Sequence, residues 1–173
     1  MDEYDIGEHS KTVYAHFALA IYLAQCLEHG IVNALVYLDL IPRRAPAVRN
    51  AAEWAAAVDA FMDRHFEDSL GRMVGNLKQV TDVGPDLEHL LSEALRKRNW
   101  LAHHYFRERA SDFMNRAGHD RMIAELEEAQ GLFRRADRSL EAVLKPVREK
   151  WGFTDERLHE QFERLRKESM DDV

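Results

Sequence analysis

The sequence predicts an all-α protein, an up-and-down helical bundle of about five helices, and three observations carry that prediction. Only four prolines and eight glycines interrupt the 173 residues. Apolar residues recur at steps of three and four along nearly the whole chain, the period of a helix with one buried face. Strict alternation of apolar and polar residues, the mark of a half-buried strand, is hard to find. With 46% of its residues hydrophobic, the chain is long enough for one domain with a core of its own and short for two. A single helical domain over residues 1–173 is therefore expected, its bundle core at about 8–150.

The elements follow in order. A first long helix is expected from about Glu8 to Leu40, with Val13, Phe17, Ile21, Ala24, Leu27, Ile31, Leu35 and Leu38 on one face, and Pro42 and Pro46 in "IPRRAPAVRN" closing it. Asn50 suits the cap of a second helix carrying Trp54, Val58 and Phe61. Leu70, Met73, Leu77 and Val80 continue the spacing in it or in a successor, where Gly71 and Gly75 mark close helix contact rather than a ligand loop. "TDVGPD" is a turn that puts Pro85 at the first position of the next helix, which runs into "RNWLAHHYF". A further helix from about Asp120 to Leu144 carries Met122, Leu126, Ala129, Phe133, Ala136, Leu140, Val143 and Val147 at alternating steps of four and three. That heptad seam needs a partner helix, either in the same subunit or across a dimer. Pro146 and Gly152 are expected to end it, and Thr154 to cap a last amphipathic helix at about 154–169 with Leu158, Phe162 and Leu165.

Charge narrows the function classes. With 31 acidic against 24 basic side chains, the formal charge is −7, so the molecule repels nucleic acid and anionic membrane unless positive charge is gathered locally. The one cysteine, Cys26, excludes an intramolecular disulfide and a cysteine zinc cage and fits a reducing compartment. "MDEYDIGEHSK" lacks the basic region of a signal peptide, and His16, Gln25, Glu28, His29, Asn33 and Asp39 break the apolar stretch from Val13 to Ile41. A soluble, cytoplasmic protein with no membrane contact is the expectation.

Positive charge is indeed gathered. From Arg96 to Arg109 the chain holds Arg96, Lys97, Arg98, Arg107 and Arg109 against Glu108 alone, a formal +4 that leaves −11 for all other residues. On a helix, Leu87, Leu91, Ala94, Leu101, Ala102 and Tyr105 fall within about 60° of one line, and Arg98 falls inside that stripe. A guanidinium there needs a carboxylate, a set of carbonyls, or a cleft where an anion binds. Trp100, Tyr105 and Phe106 add aromatic faces on which a base can stack, so the island suits a phosphate backbone; it suits an acidic protein surface as well. His103 and His104 supply groups that titrate near neutrality. On a straight helix His103 points about 140° away from Arg98, so the helix deforms, or the long Arg reaches around, or two copies meet across a twofold axis and share the site.

Arg98, Asn99 and His103, an Arg, a polar residue and a His after a short interval, resemble the signature of the HEPN superfamily of helical domains found in ribonuclease toxins and other prokaryotic defence and RNA-processing proteins. The match covers eight residues, and His103, His104 and Tyr105 also reproduce the His, any residue, Tyr ending of the HEPN toxins paired with nucleotidyltransferase antitoxins. The resemblance implies an HEPN-like bundle and cleavage of RNA without a metal or other cofactor. His103 would take the proton of a ribose 2′-hydroxyl, Arg98 would hold the phosphate, and Asn99 would orient substrate or histidine. Arg96, Lys97, Trp100, His104, Tyr105, Arg107 and Arg109 would bind substrate. Tyr105 would be open to modification by an antitoxin. A homodimer, RNA and an antitoxin or other protein are the partners this implies.

Two other classes compete. Glu156 with His159, and Asp86 with His89, have the Glu/Asp, two residues, His spacing of di-iron bundles, but the remaining ligands cannot be assigned, so no metal site is expected. A helical module without catalysis, binding a partner protein or a nucleotide through the basic island, accounts for the same seam and charges.

Overall fold

The computed structural model describes residues 6–171, and among the described residues there is no strand. The first helix, α1 (Ile6–Leu35), does not stop at Pro42. It passes through one π-helical turn at Val36–Leu40 into α2 (Ile41–Arg44) and a 3-10 turn at Ala45–Ala47, and the backbone becomes extended only at Val48. In the π turn the Ile41 N–H donates to the Val36 carbonyl. That wider turn carries the chain past Pro42, whose ring in a regular helix would press on the Leu38 carbonyl. By length and composition this Gly7–Ala47 rod could cross a membrane. Here its apolar face is the core, with Val13, Ala20, Ala24, Leu27, Ile31 and Leu35 all buried.

α3 (Ala51–Phe66) begins where Asn50 caps it, the side chain accepting from the Glu53 N–H at 2.9 Å. Ser69 starts a separate α4 (Leu70–Val80) by accepting from Arg72 N–H. A Cβ on Gly71 would make ordinary contact with Leu95 at 3.4 Å, while one on Gly75 would meet nothing within 4 Å, so only Gly71 sits against another helix. α5 (Pro85–His103) has Pro85 in its first turn, as expected, and ends one residue short of a break at His104. After α6 (Tyr105–Glu108) and a 3-10 turn at Asp112–Met114, Asn115 caps α7 (Arg116–Lys150) by accepting from Gly118 N–H at 2.9 Å.

Pro146 lies inside α7 rather than ending it. The last turns are held by Arg148, 5% exposed, whose guanidinium donates to Glu141 at 2.9 Å, to the Phe153 carbonyl at 2.6 Å and to Asp155. The helix stops at Gly152, where φ is +84°. The Gly152 N–H returns to the Glu149 carbonyl at 2.8 Å and the Phe153 N–H to the Arg148 carbonyl at 2.9 Å, a Schellman closure. α8 (Asp155–Asp171) follows, tied at its start to α7 by Lys145 and Arg148 on Asp155, with Leu158, Phe162 and Leu165 exposed.

α1 and α7 form the most extensive contact in the bundle. They run parallel: the side chain of Gln130 meets His16 at one end, and a Cβ on Gly30 would meet Leu140 at the other. α5 lies antiparallel to both, with Arg98 on Glu28, Tyr105 on Phe17 and the Tyr105 hydroxyl on Met122. The heptad seam of α7 is therefore covered by its own chain, and Met122, Leu126, Ala129, Phe133, Ala136 and Leu140 are all buried. Beyond Leu140 the buried line steps to Leu144 and Arg148, leaving Val143 exposed, because a straight helix drifts off a 3.5-residue repeat.

Candidate functional site

The basic island occupies the last turns of α5 and the short α6. The periodicity put Arg98 inside the stripe of Leu87, Leu91, Ala94 and Leu101; those four are buried, but Arg98 is only half-buried, and Ala102, expected in that stripe, is exposed. Facing Arg98 is a carboxylate from the middle of α1. Its Nε donates to Glu28 Oε1 at 3.0 Å, and its Nη1 donates to Asn99 Oδ1 at 3.2 Å. The Arg98 side chain keeps 34% of its exposure and Glu28 keeps 14%. The guanidinium is thus engaged through Nε and Nη1, on a side chain that is about two-thirds covered.

His103 is the last residue of α5, so it and Arg98 both belong to regular helix. The break falls one residue later, at His104 with φ −130° and ψ −24°. The deformation therefore comes too late to swing His103 round to Arg98, and the offset of about 140° stands. The two imidazoles are exposed, edge-on, with ring centres 6.3 Å apart. Arg107 Nη2 lies 3.3 Å from His104 Nδ1, whereas His103 makes no hydrogen bond among the described residues.

Tyr105 departs from its expected place on the binding surface. It is 1% exposed, its hydroxyl donates to the Met122 carbonyl at 3.1 Å, and its ring packs on Phe17, Trp100 and Phe106. Burial, then the charge of Glu125, pushes its phenol well above the ordinary tyrosine range. The apolar stripe that already held Tyr105 on a straight helix accounts for the placement, since its ring lies on the side of α5 that faces α1 and α7. In this arrangement Tyr105 neither stacks on a base nor meets a modifying enzyme.

Trp100 stands over a cleft of about 410 Å³ lined by Arg96, Lys97, Arg109, Glu93 and Glu125 among others. Lys97 Nζ lies 4.9 Å and the Arg109 guanidinium carbon 5.3 Å from its ring centre, and its indole N–H donates to Glu108 at 2.8 Å. Arg109 forks onto both oxygens of Glu125 at 2.8 and 2.7 Å, and that bidentate pair holds its proton more tightly than usual. Glu28 and Glu125 together reduce the island's formal +4 to +2. Arg96, Lys97 and Arg107 remain without a carboxylate partner among the described residues.

Glu28 and Glu125 are the residues that sequence reasoning missed. Glu28 stands out only as an interruption of the apolar stretch in α1, and Glu125 adjoins a seam position; each signal says that a carboxylate is near the core, not what it faces. Of the metal spacings weighed, Asp86 and His89 lie on α5, where His89 sits 3.6 Å from Glu93, and Glu156 and His159 lie exposed on α8. No group of three or more potential ligands forms among the described residues. Comparison with known proteins returns no matching family model, no matching curated protein and no matching solved structure.

Proposed function

We propose that the protein is an HEPN-like, metal-independent endoribonuclease of toxin or defence type, with Arg98, Asn99 and His103 as its working residues and its site shared between two copies of the chain. One observation carries the reading. Arg98, with about a third of its side chain exposed, lies on the same turns of α5 as His103, whose exposed imidazole has no hydrogen-bond partner among the described residues. His103 of one copy accepts the 2′-hydroxyl proton as that oxygen attacks the adjacent phosphorus. Arg98 of the other stabilises the charge gathering on the phosphate oxygens, and the bond to the 5′ oxygen breaks as that oxygen takes a proton from water, the proton held by His103 later returning to solvent. The products are a 2′,3′-cyclic phosphate and a 5′-hydroxyl. Sharing across a twofold axis removes the angular conflict within one helix. On the toxin reading an antitoxin protein covers the same cytoplasmic face.

The test is cleavage of mixed RNA by the purified protein in the presence of a chelator. The wild type should cut RNA and leave DNA of the same sequence intact, and Arg98→Ala and His103→Ala should each lower the rate about 100-fold or more. Mixing the two inactive variants should restore part of the activity if the site is composite. Inert wild-type protein would end the proposal.

A second reading rests on Glu28 and Glu125, which neutralise two of the island's arginines as a scaffold would. The chain would then be a non-catalytic helical module, and Arg98→Ala would destabilise the fold without affecting any reaction.

A further inference from the structure

At the other end of α5's neighbour α1, a cleft of about 480 Å³ opens between α2 and α3. Leu40, Ala57 and Phe61 form its floor, and Arg43, Arg44 and Arg64 stand around it; no carboxylate lines it. Arg43 pairs with Asp39, which lines an adjoining polar cleft instead. Arg44 and Arg64 have no carboxylate partner among the described residues, although the chain as a whole carries an excess of acid. Arg44 and Arg64 thus line one cleft as uncompensated charges, which an anion there would offset, and an apolar floor is a poor place for water alone.

Arg64 is held in place. Its guanidinium carbon lies 5.4 Å over the ring centre of Phe61, and its Nη2 reaches the Nε2 of His65 at 3.4 Å. A donor on Nε2 leaves the His65 proton on Nδ1. His65 is 5% exposed, and Nδ1 is buried without a hydrogen-bond partner, facing Asp68 at 3.5 Å in the polar cleft that Arg43 and Arg64 also line. The two clefts therefore share a wall of arginines, apolar on one side and polar on the other.

We propose that the apolar cleft binds a small soluble amphipathic anion, a carboxylate or phosphate ester on a short alkyl or aromatic body, with Arg44 and Arg64 holding the charge and Leu40, Ala57 and Phe61 covering the body. The volume falls within the range of small-molecule sites, and a guanidinium fork matches either anion. The site lies away from the α5 island and stands or falls independently of it.

Calorimetric titration of the full chain with octanoate and phenyl phosphate tests this, with inorganic phosphate, octylammonium and vesicles of phosphatidylglycerol as further probes. Octanoate or phenyl phosphate should bind with a Kd of about 1 mM or tighter. Arg44→Gln and Arg64→Gln should each weaken it about tenfold, and Ala57→Leu, which fills the floor, should abolish it. The arginines are exposed, so circular dichroism should show both variants folded; if one is not, the other carries the test. The proposal is overturned by no binding, by binding that survives both arginine variants, by equal binding of octylammonium or inorganic phosphate, or by capture on anionic vesicles alone.

Discussion

At the scale of single residues, burial separates what works from what packs. Tyr105 belongs to the core, and Tyr105→Phe removes a buried hydroxyl that donates to the Met122 carbonyl. The expected cost is about 1 kcal/mol in urea unfolding, with RNA binding unchanged; a larger effect on binding than on stability would return Tyr105 to the site. His65 is buried in the neutral state, its pKa lowered first by burial and then by Arg64. Since the unfolded chain takes up that proton near pH 6.5 while the folded one resists, stability is full above that pH. It should decline as pH falls from about 6.5 through the lower folded value. Denaturant midpoints at pH 7.5 and 5.5 measure the decline, which His65→Phe should reduce.

At the scale of elements, the sequence periods locate helices better than the breakers locate their ends. Pro46 falls in the 3-10 turn that finishes the first rod, and two others, Pro42 and Pro146, lie within helices rather than ending them. A π turn relieves Pro42, and Pro146 sits in an end turn braced by Arg148; neither remedy is local enough to be legible from a proline. Gly152 does stop its helix, because its φ of +84° lies in the left-handed region that a side chain resists. Gly118 is required for another reason. A Cβ there would lie 1.9 Å from the Asp112 carbonyl oxygen, a backbone atom of the 3-10 turn that leads into α7. Gly118→Ala should therefore cost about 1–3 kcal/mol or more, read as a drop in the thermal midpoint, whereas Gly75→Ala, with open space around it, should be neutral or stabilising.

At the scale of the whole molecule, the balance of charge decides how any nucleic acid is held. Five basic side chains fall between Arg96 and Arg109, but packing brings Glu28 onto Arg98 and Glu125 onto Arg109, leaving Arg96, Lys97 and Arg107 without a carboxylate among the described residues. If those three make the phosphate contacts, log K for single-stranded RNA should fall with log salt at a slope of about −2. A slope of about −3.5 would mean that the two internal pairs open on binding.

Hydrophobic period by itself determined the all-α class, the apolar face of α7 as far as Leu140 and the identity of most core positions, because a 3.6-residue repeat depends only on which neighbours share a helical face. It also put His103 on a different side of the helix from Arg98, which it placed inside the buried stripe and which the structure leaves half-buried. Tertiary structure alone decided the rest. Which carboxylate meets Arg98 depends on α1 lying antiparallel to α5, 70 residues away in sequence, and what covers Tyr105 depends on α1 and α7 bringing Phe17 and Met122 to it. Pairing partners and surface exposure arise from how faces are brought together, and no stretch of chain encodes that within itself.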